Sequence, residues 1–86
     1  MNINDLIAIV KKKLIKEIKI EKIDIQDKSF LHKNHPGNQH RKFHLKLIIH
    51  SNQLKSLNKI ESNKKIYKVL DEEMEKYIHS LQILIG

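Results

Sequence analysis

The chain has 86 residues, enough for one small domain with a modest core that aliphatic side chains must fill. Seventeen Lys and Arg residues against ten Asp and Glu residues give a formal net charge of +7. The absence of cysteine excludes disulfide bonds and thiolate ligands from this chain. No apolar run is long enough to span a membrane, and the N-terminus has no signal-peptide pattern. We therefore expect a single cytoplasmic domain, residues 1–86.

The positive charge has two interpretations. It could serve nucleic-acid binding, because contacts to phosphates need basic side chains. Alternatively, it could reflect the joint abundance of Lys, Ile and Asn that an AT-rich coding sequence produces. The charge is spread along the chain, which favours the second interpretation.

The first part of the chain predicts a helix followed by a strand. Residues 4–17 predict an amphipathic helix, with Asn4 as the expected cap and the lysines mostly on the solvent side. Residues 19–27 predict a half-buried strand, because Ile23 and Ile25 alternate with polar side chains. The helix would bury an apolar stripe at helical spacing: Ile3, Leu6, Ile7, Val10, Leu14 and Ile18.

The middle of the chain is a candidate functional region. Residues 28–41 predict a long loop with three of the six histidines, His32, His35 and His40. Residues 42–50 predict a strand that pairs antiparallel with the first one. A polar loop supported by a buried strand is a common place for function.

The last third predicts helices and a final strand. Residues 51–58 predict a short helical turn, and residues 61–77 predict a long helix capped by Ser62 or Asn63. The acidic run at residues 71–73 should face mostly outward and pair with Lys68 and Lys76. Residues 78–85 predict a strand with His79 at its start. The fold class is therefore α+β, a three-stranded sheet with the long helices on one face.

An ordered set of motifs resembles the BolA family over nearly the whole chain. Residues 44–51 resemble its "HFKV–VS" strand, and residues 29–35 resemble "S-x-x-H-x-G-H". Further matches are Leu54 for the Phe of "F-x-G", Ile66-Tyr67 for "V/M-Y", and Glu72-Glu73-Met74 with Ile78-His79-Ser80-Leu81 for "E-E-L … V-H-A-L". The resemblance implies an αββααβ fold similar to class II KH domains.

The sequence also departs from the family pattern. Ser62-Asn63-Lys64 stands where the family has "R-H-R", and Ser56 replaces the glycine of "F-x-G". A KH-type "GxxG" loop is absent, which argues against recognition of single-stranded RNA by the usual KH route.

The resemblance implies a role for histidines in a shared [2Fe–2S] cluster. In this role the chain partners a monothiol glutaredoxin, which brings the thiolates and its glutathione, and the isolated chain binds no cluster. His79 is the expected metal ligand, with a loop histidine, His35 before His32, as the second. Imidazole is an established ligand of such clusters. His40 is a weaker candidate for the second ligand. The alternatives are that His79 is a partly buried histidine satisfied by a backbone carbonyl, and that the loop is polar with surplus histidines.

Other residues are expected to have supporting roles. We expect His44, Tyr67 and Lys64 to contact the partner, with His44 and His50 on the outer face of their strand. Transcription regulation by DNA binding is the second role that the resemblance implies, and a weak homodimer stays open.

The sequence lacks the signatures of an enzyme. There is no nucleophile beside a supported His-Asp pair and no phosphate-cradling glycine loop, and the histidines near Asp27 do not reproduce a zinc-enzyme pattern. We therefore expect a binding module that needs no membrane.

Overall fold

The computed structural model describes residues 1–29 and 42–86 of the chain, so most of the predicted loop lies outside the described residues. The helices are α1 (Ile3–Glu17), α2 (Asn52–Lys55), α3 (Lys59–Val69) and α4 (Asp71–Lys76). The strands are β1 (Lys22–Asp27), β2 (Phe43–His50) and β3 (Ile78–Ile85). This order confirms the predicted α+β fold. None of the described helices has the length and hydrophobicity needed to cross a bilayer.

The three strands form one sheet in the order β1-β2-β3. β1 pairs antiparallel with β2, as predicted, and Ile25 lies opposite Leu47. β3 pairs parallel with β2, so that Ile83 also lies opposite Leu47. The central strand is therefore β2, and its alternate residues contribute to the core.

The core lies between the helices and one face of the sheet. α1 contributes Leu6, Val10 and Leu14, which confirms the apolar stripe predicted from its periodicity. The other buried members of the cluster are Ile18, Leu45, Leu47, Ile49, Leu54, Ile66, Leu70 and Ile78. Burial of this aliphatic surface is the main favourable contribution to folding.

Several predicted boundaries and caps were wrong. The side chain of Asn2, and not of Asn4, accepts a hydrogen bond from the backbone N–H of Asp5 and caps α1. The first strand begins at Lys22, three residues later than predicted. Two-residue alternation cannot locate this start, because apolar residues continue upstream through Ile18 and Ile20.

The predicted helix at residues 61–77 is two shorter helices. α3 begins at Lys59, capped by Asn58, and the predicted cap Ser62 is buried inside it with its hydroxyl bonded to the carbonyl of Lys59. The helix stops before Leu70, whose φ of −99° and ψ of 18° depart from helical values. α4 then begins with three acidic residues, which its positive N-terminal dipole favours.

A partly buried ion pair, with a buried carboxylate and a half-exposed ammonium, joins α1 to α4. Glu73 is 3% exposed and accepts a hydrogen bond from the Lys13 ammonium at 2.5 Å. Glu72 pairs with Lys76 at 3.2 Å and lies 3.6 Å from Lys13. Asp71 and Glu72 are exposed and Glu72 pairs with Lys76, as expected. The expectation was wrong for Glu73, which is buried, and the second basic partner is Lys13 and not Lys68.

This pairing shifts the pKa values of Lys13 and Glu72 in the directions that favour their charged forms. The hydrogen bond to Glu73 raises the pKa of the Lys13 ammonium above its ordinary value of 10.5. The hydrogen bond from Lys76 lowers the pKa of the Glu72 carboxyl. Because the pKa of Lys13 is higher in the folded than in the unfolded chain, its stabilising contribution is complete below about pH 10.5 and is lost as pH rises through the folded-state value.

We predict that Lys13→Met lowers the free energy of unfolding at pH 7, because it leaves the buried Glu73 carboxylate without a counter-charge. We expect a loss on the order of 2 kcal/mol, below that of a fully buried pair because the Lys13 side chain is 38% exposed. Urea unfolding of the wild type and the variant measures it. Lys12→Met, on the exposed side of α1, is the matched control and should change stability little. Equal losses in both variants, or a Lys13 effect that persists above its raised pKa, would contradict the assignment.

Candidate functional site

His79 is the second residue of β3 and is exposed. The residue before it, Ile78, is buried in the core. The backbone N–H of Phe43 donates to the carbonyl of Tyr77 at 2.8 Å, which attaches the chain to β2 just ahead of the histidine. His79 is therefore a surface side chain on a backbone that its neighbours hold in place.

The pairing of β2 with β3 is irregular at His79. Phe43 lies opposite Ile78, but the next residue of β2, His44, lies opposite Ser80, so His79 has no partner residue. The extra residue is a β-bulge, a feature that redirects side chains and often lies near functional sites. As a result, two consecutive exposed residues, His79 and Ser80, separate the inward-facing Ile78 and Leu81.

His44 lies beside this bulge. Strand alternation puts it on the outer face of the sheet, as predicted, but it is only 7% exposed. Its Nδ1 atom is 2.6 Å from the Ser80 hydroxyl oxygen, and its backbone N–H donates to the Ser29 hydroxyl at 3.1 Å. These contacts fix the position and orientation of the imidazole.

The two imidazoles are in contact. The ring centroids of His44 and His79 are 5.0 Å apart, and the ring planes are inclined by 58°. A tilted arrangement at this distance is favourable for aromatic rings. The fixed ring of His44 thus supports one side of the exposed ring of His79.

The predicted loop leaves and rejoins the sheet at the same place. The backbone N–H of Lys28 donates to the carbonyl of His44 at 2.7 Å, and the described chain resumes at Lys42, two residues before His44. His32, His35 and His40 lie outside the described residues. Their expected roles as second ligand or surplus histidine stay predictions.

The other candidate residues are distributed around β3. The Tyr67 hydroxyl of α3 donates to the carbonyl of Leu81 at 3.3 Å, and the Tyr67 side chain is 40% exposed. Lys64 is exposed one turn earlier on α3, and no ion pair within the described residues holds it. His50 is at the opposite end of β2, near Gly86, and so lies away from the histidine pair.

The arrangement can supply imidazole ligands but not a complete metal site. Within residues 1–29 and 42–86, no three His, Asp or Glu side chains are grouped so that they could hold an ion. A metal centre at His79 would need further ligands, and thiolates would have to come from another chain, since this one has no cysteine.

Sequence reasoning missed two contributions to this site. It did not find the contact between His44 and His79, nor the bond between Ser80 and His44. The available signal was the spacing of the inward-facing residues, since Ile78 and Leu81 are three positions apart where a regular strand requires two.

Comparisons with known proteins show which family this chain resembles. A family model described as "BolA-like protein" matches residues 14–85. The chain is 31% identical over 75 residues to the curated "DNA-binding transcriptional regulator BolA" of Haemophilus influenzae, covering 87% of this chain and 70% of that protein.

Solved structures share the fold. BolA1 from Arabidopsis thaliana has a TM-score of 0.75 and 27% identity, and the match covers 92% of this chain and 87% of that one. The BolA domain of SufE1 from Arabidopsis thaliana has a TM-score of 0.77 and 25% identity, with the same coverage of 92% and 87%. Together with the family-model match, these results confirm the resemblance found in the sequence. The chain belongs to the BolA-like protein family.

Proposed function

We propose that this BolA-like chain is a binding module that partners a monothiol glutaredoxin and contributes histidine ligands to a bridging [2Fe–2S] cluster. His79 is the first ligand, and a histidine of residues 30–41, His35 or His32, is the second. The partner and its glutathione supply the thiolates. The role of such a complex is iron–sulfur cluster assembly, delivery or the sensing of iron supply.

The observation that carries the proposal is the exposed imidazole of His79 on a bulge, in contact with the buried imidazole of His44. Because neighbours on both sides fix the backbone of His79, little conformational entropy would be lost when it binds a metal. The loop that carries the second histidine starts and ends beside His44, within the same region.

The donor set fits a shared cluster better than a resident metal. Neutral imidazole is a ligand for iron in [2Fe–2S] centres, and the incomplete ligand group of the described residues suits a site that a partner completes. His79 would hold the cluster, Ser80 and His44 would orient His79, and Tyr67 and Lys64 are the proposed partner contacts on the nearby helix.

DNA binding is the second candidate function. A relative that is 31% identical is named a DNA-binding transcriptional regulator, and this chain has a net charge of +7. Lysine contacts to phosphates would give affinity that depends strongly on salt. Base readout commonly uses Arg, Asn or Gln, and the single arginine, Arg41, lies outside the described residues.

We predict that His79→Ala abolishes the change in visible circular dichroism that follows mixing of this protein with a [2Fe–2S]-loaded monothiol glutaredoxin. The change should persist in His50→Ala, the matched control at the far end of β2. Ser80→Ala should weaken it, because His44 would lose its hydroxyl contact. His35→Ala and His32→Ala identify the second ligand. A spectrum unaffected by His79→Ala, or the absence of a complex on a sizing column, would contradict the proposal.

For the DNA alternative, we predict that affinity for duplex DNA falls about 10³-fold or more between roughly 50 and 200 mM salt if at least six phosphates are contacted. Fluorescence anisotropy with a labelled duplex measures this dependence. His79→Ala should bind as the wild type does, which separates the two functions. Absence of binding at low salt would eliminate the alternative.

A further inference from the structure

A groove of about 540 Å³ lies between α1 and α3, on the helical layer of the molecule. Lysines from both helices form its sides, and one carboxylate and one aliphatic residue complete the lining. The lining residues are Lys13, Lys16, Glu17, Lys65, Lys68 and Val69. The groove is separate from the histidine pair, which belongs to β2 and β3.

The groove carries uncompensated positive charge. Lys13 is neutralised by its bond to Glu73, and Glu17 is the one carboxylate of the lining. The other three lysines, Lys16, Lys65 and Lys68, form no ion pair with any described carboxylate. Set against Glu17, these three lysines leave a formal excess of two positive charges in the lining (three minus one), which attracts anions.

The lysines are arranged as two pairs. Lys13 and Lys16 are three residues apart on α1, and Lys65 and Lys68 have the same spacing on α3, so each pair lies on one face of its helix. The helical rise separates the members of a pair by about 4.5 Å along the axis. The cationic region is therefore about one helical turn long on each side of the groove.

We propose that this groove binds a small anion with two or three linked phosphates. Its volume lies within the range of roughly 300–1,000 Å³ that is usual for small-ligand pockets. Lysine ammonium groups bind phosphates as point charges and need no bidentate geometry. Val69 and the aliphatic stems of the lysines provide an apolar wall for whatever the phosphate chain is attached to.

The short extent of the groove favours a compact ligand over a nucleic-acid strand. Lys11 and Lys12 are not among the lining residues of the groove, but line a neighbouring depression around Ala8 and Ile15 that shares Lys16 with it. Because that depression is mainly apolar, it does not continue the basic lining. A continuous backbone track would need basic residues beyond the two pairs. The groove thus matches an oligophosphate in the length of its cationic region and in the sign of its charge.

Isothermal titration calorimetry of the full chain with inorganic tripolyphosphate tests the site. We expect saturable binding that is weakened about tenfold or more in Lys16→Gln/Lys68→Gln, which requires the two lost charge contacts together to contribute about 1.4 kcal/mol. Lys11→Gln/Lys55→Gln removes two exposed charges outside the groove and is the matched control. It should retain the wild-type affinity within about twofold. Circular dichroism verifies that both variants are folded.

The remaining outcomes are also decisive. Equal weakening in both double variants would mean diffuse attraction to the overall charge and would overturn the site. If tripolyphosphate does not bind, and the groove variant but not the control variant binds duplex DNA more weakly, the small-anion proposal is overturned and the groove is assigned to nucleic acid. If adenosine triphosphate binds with the same affinity as tripolyphosphate, this supports recognition of the phosphate chain alone. Tighter binding of the nucleotide would support the site with an added nucleoside contact.

Discussion

Where β2 pairs with β3, β3 has one extra residue, His79, and the candidate site depends on this single irregularity. Without it, His79 would lie directly opposite His44, and the inward-facing residues of β3 would be displaced by one position. With it, Leu81, Ile83 and Ile85 keep their places above β2, while His79 stays at the surface. Core packing and the exposure of one imidazole are thus satisfied together.

The ion pair between Lys13 and Glu73 supports the same end of the sheet. α4 leads directly into β3, and the pair ties α4 to α1. Leu70, at the helix break, and Glu73 are both buried. Lys13 also lines the groove between α1 and α3, so it belongs to both the structural support and the proposed anion site.

The sequence predicted the elements whose side chains follow a strict period. α1 and β3 were correct within about one residue, because Leu6, Val10 and Leu14 repeat at helical spacing and Leu81, Ile83 and Ile85 alternate. The helix break at Leu70 and the burial of Glu73 were not predicted, since neither follows from the period of the apolar residues and the Glu73 carboxylate is buried against Lys13 of a distant helix. The same holds for the contact between His44 and His79, which arises from strand register. The family resemblance pointed to His79, but not to what supports it.

The most direct test of the account follows the imidazole signals of His79 and His50 by nuclear magnetic resonance while a [2Fe–2S]-loaded monothiol glutaredoxin is added. Iron next to a ligand broadens or strongly shifts the signals of that ligand. We predict that the ring signals of His79 disappear or shift strongly, while those of His50, at the other end of β2, stay in place. Formation of the complex with unchanged His79 signals would contradict the claim that this histidine is a ligand.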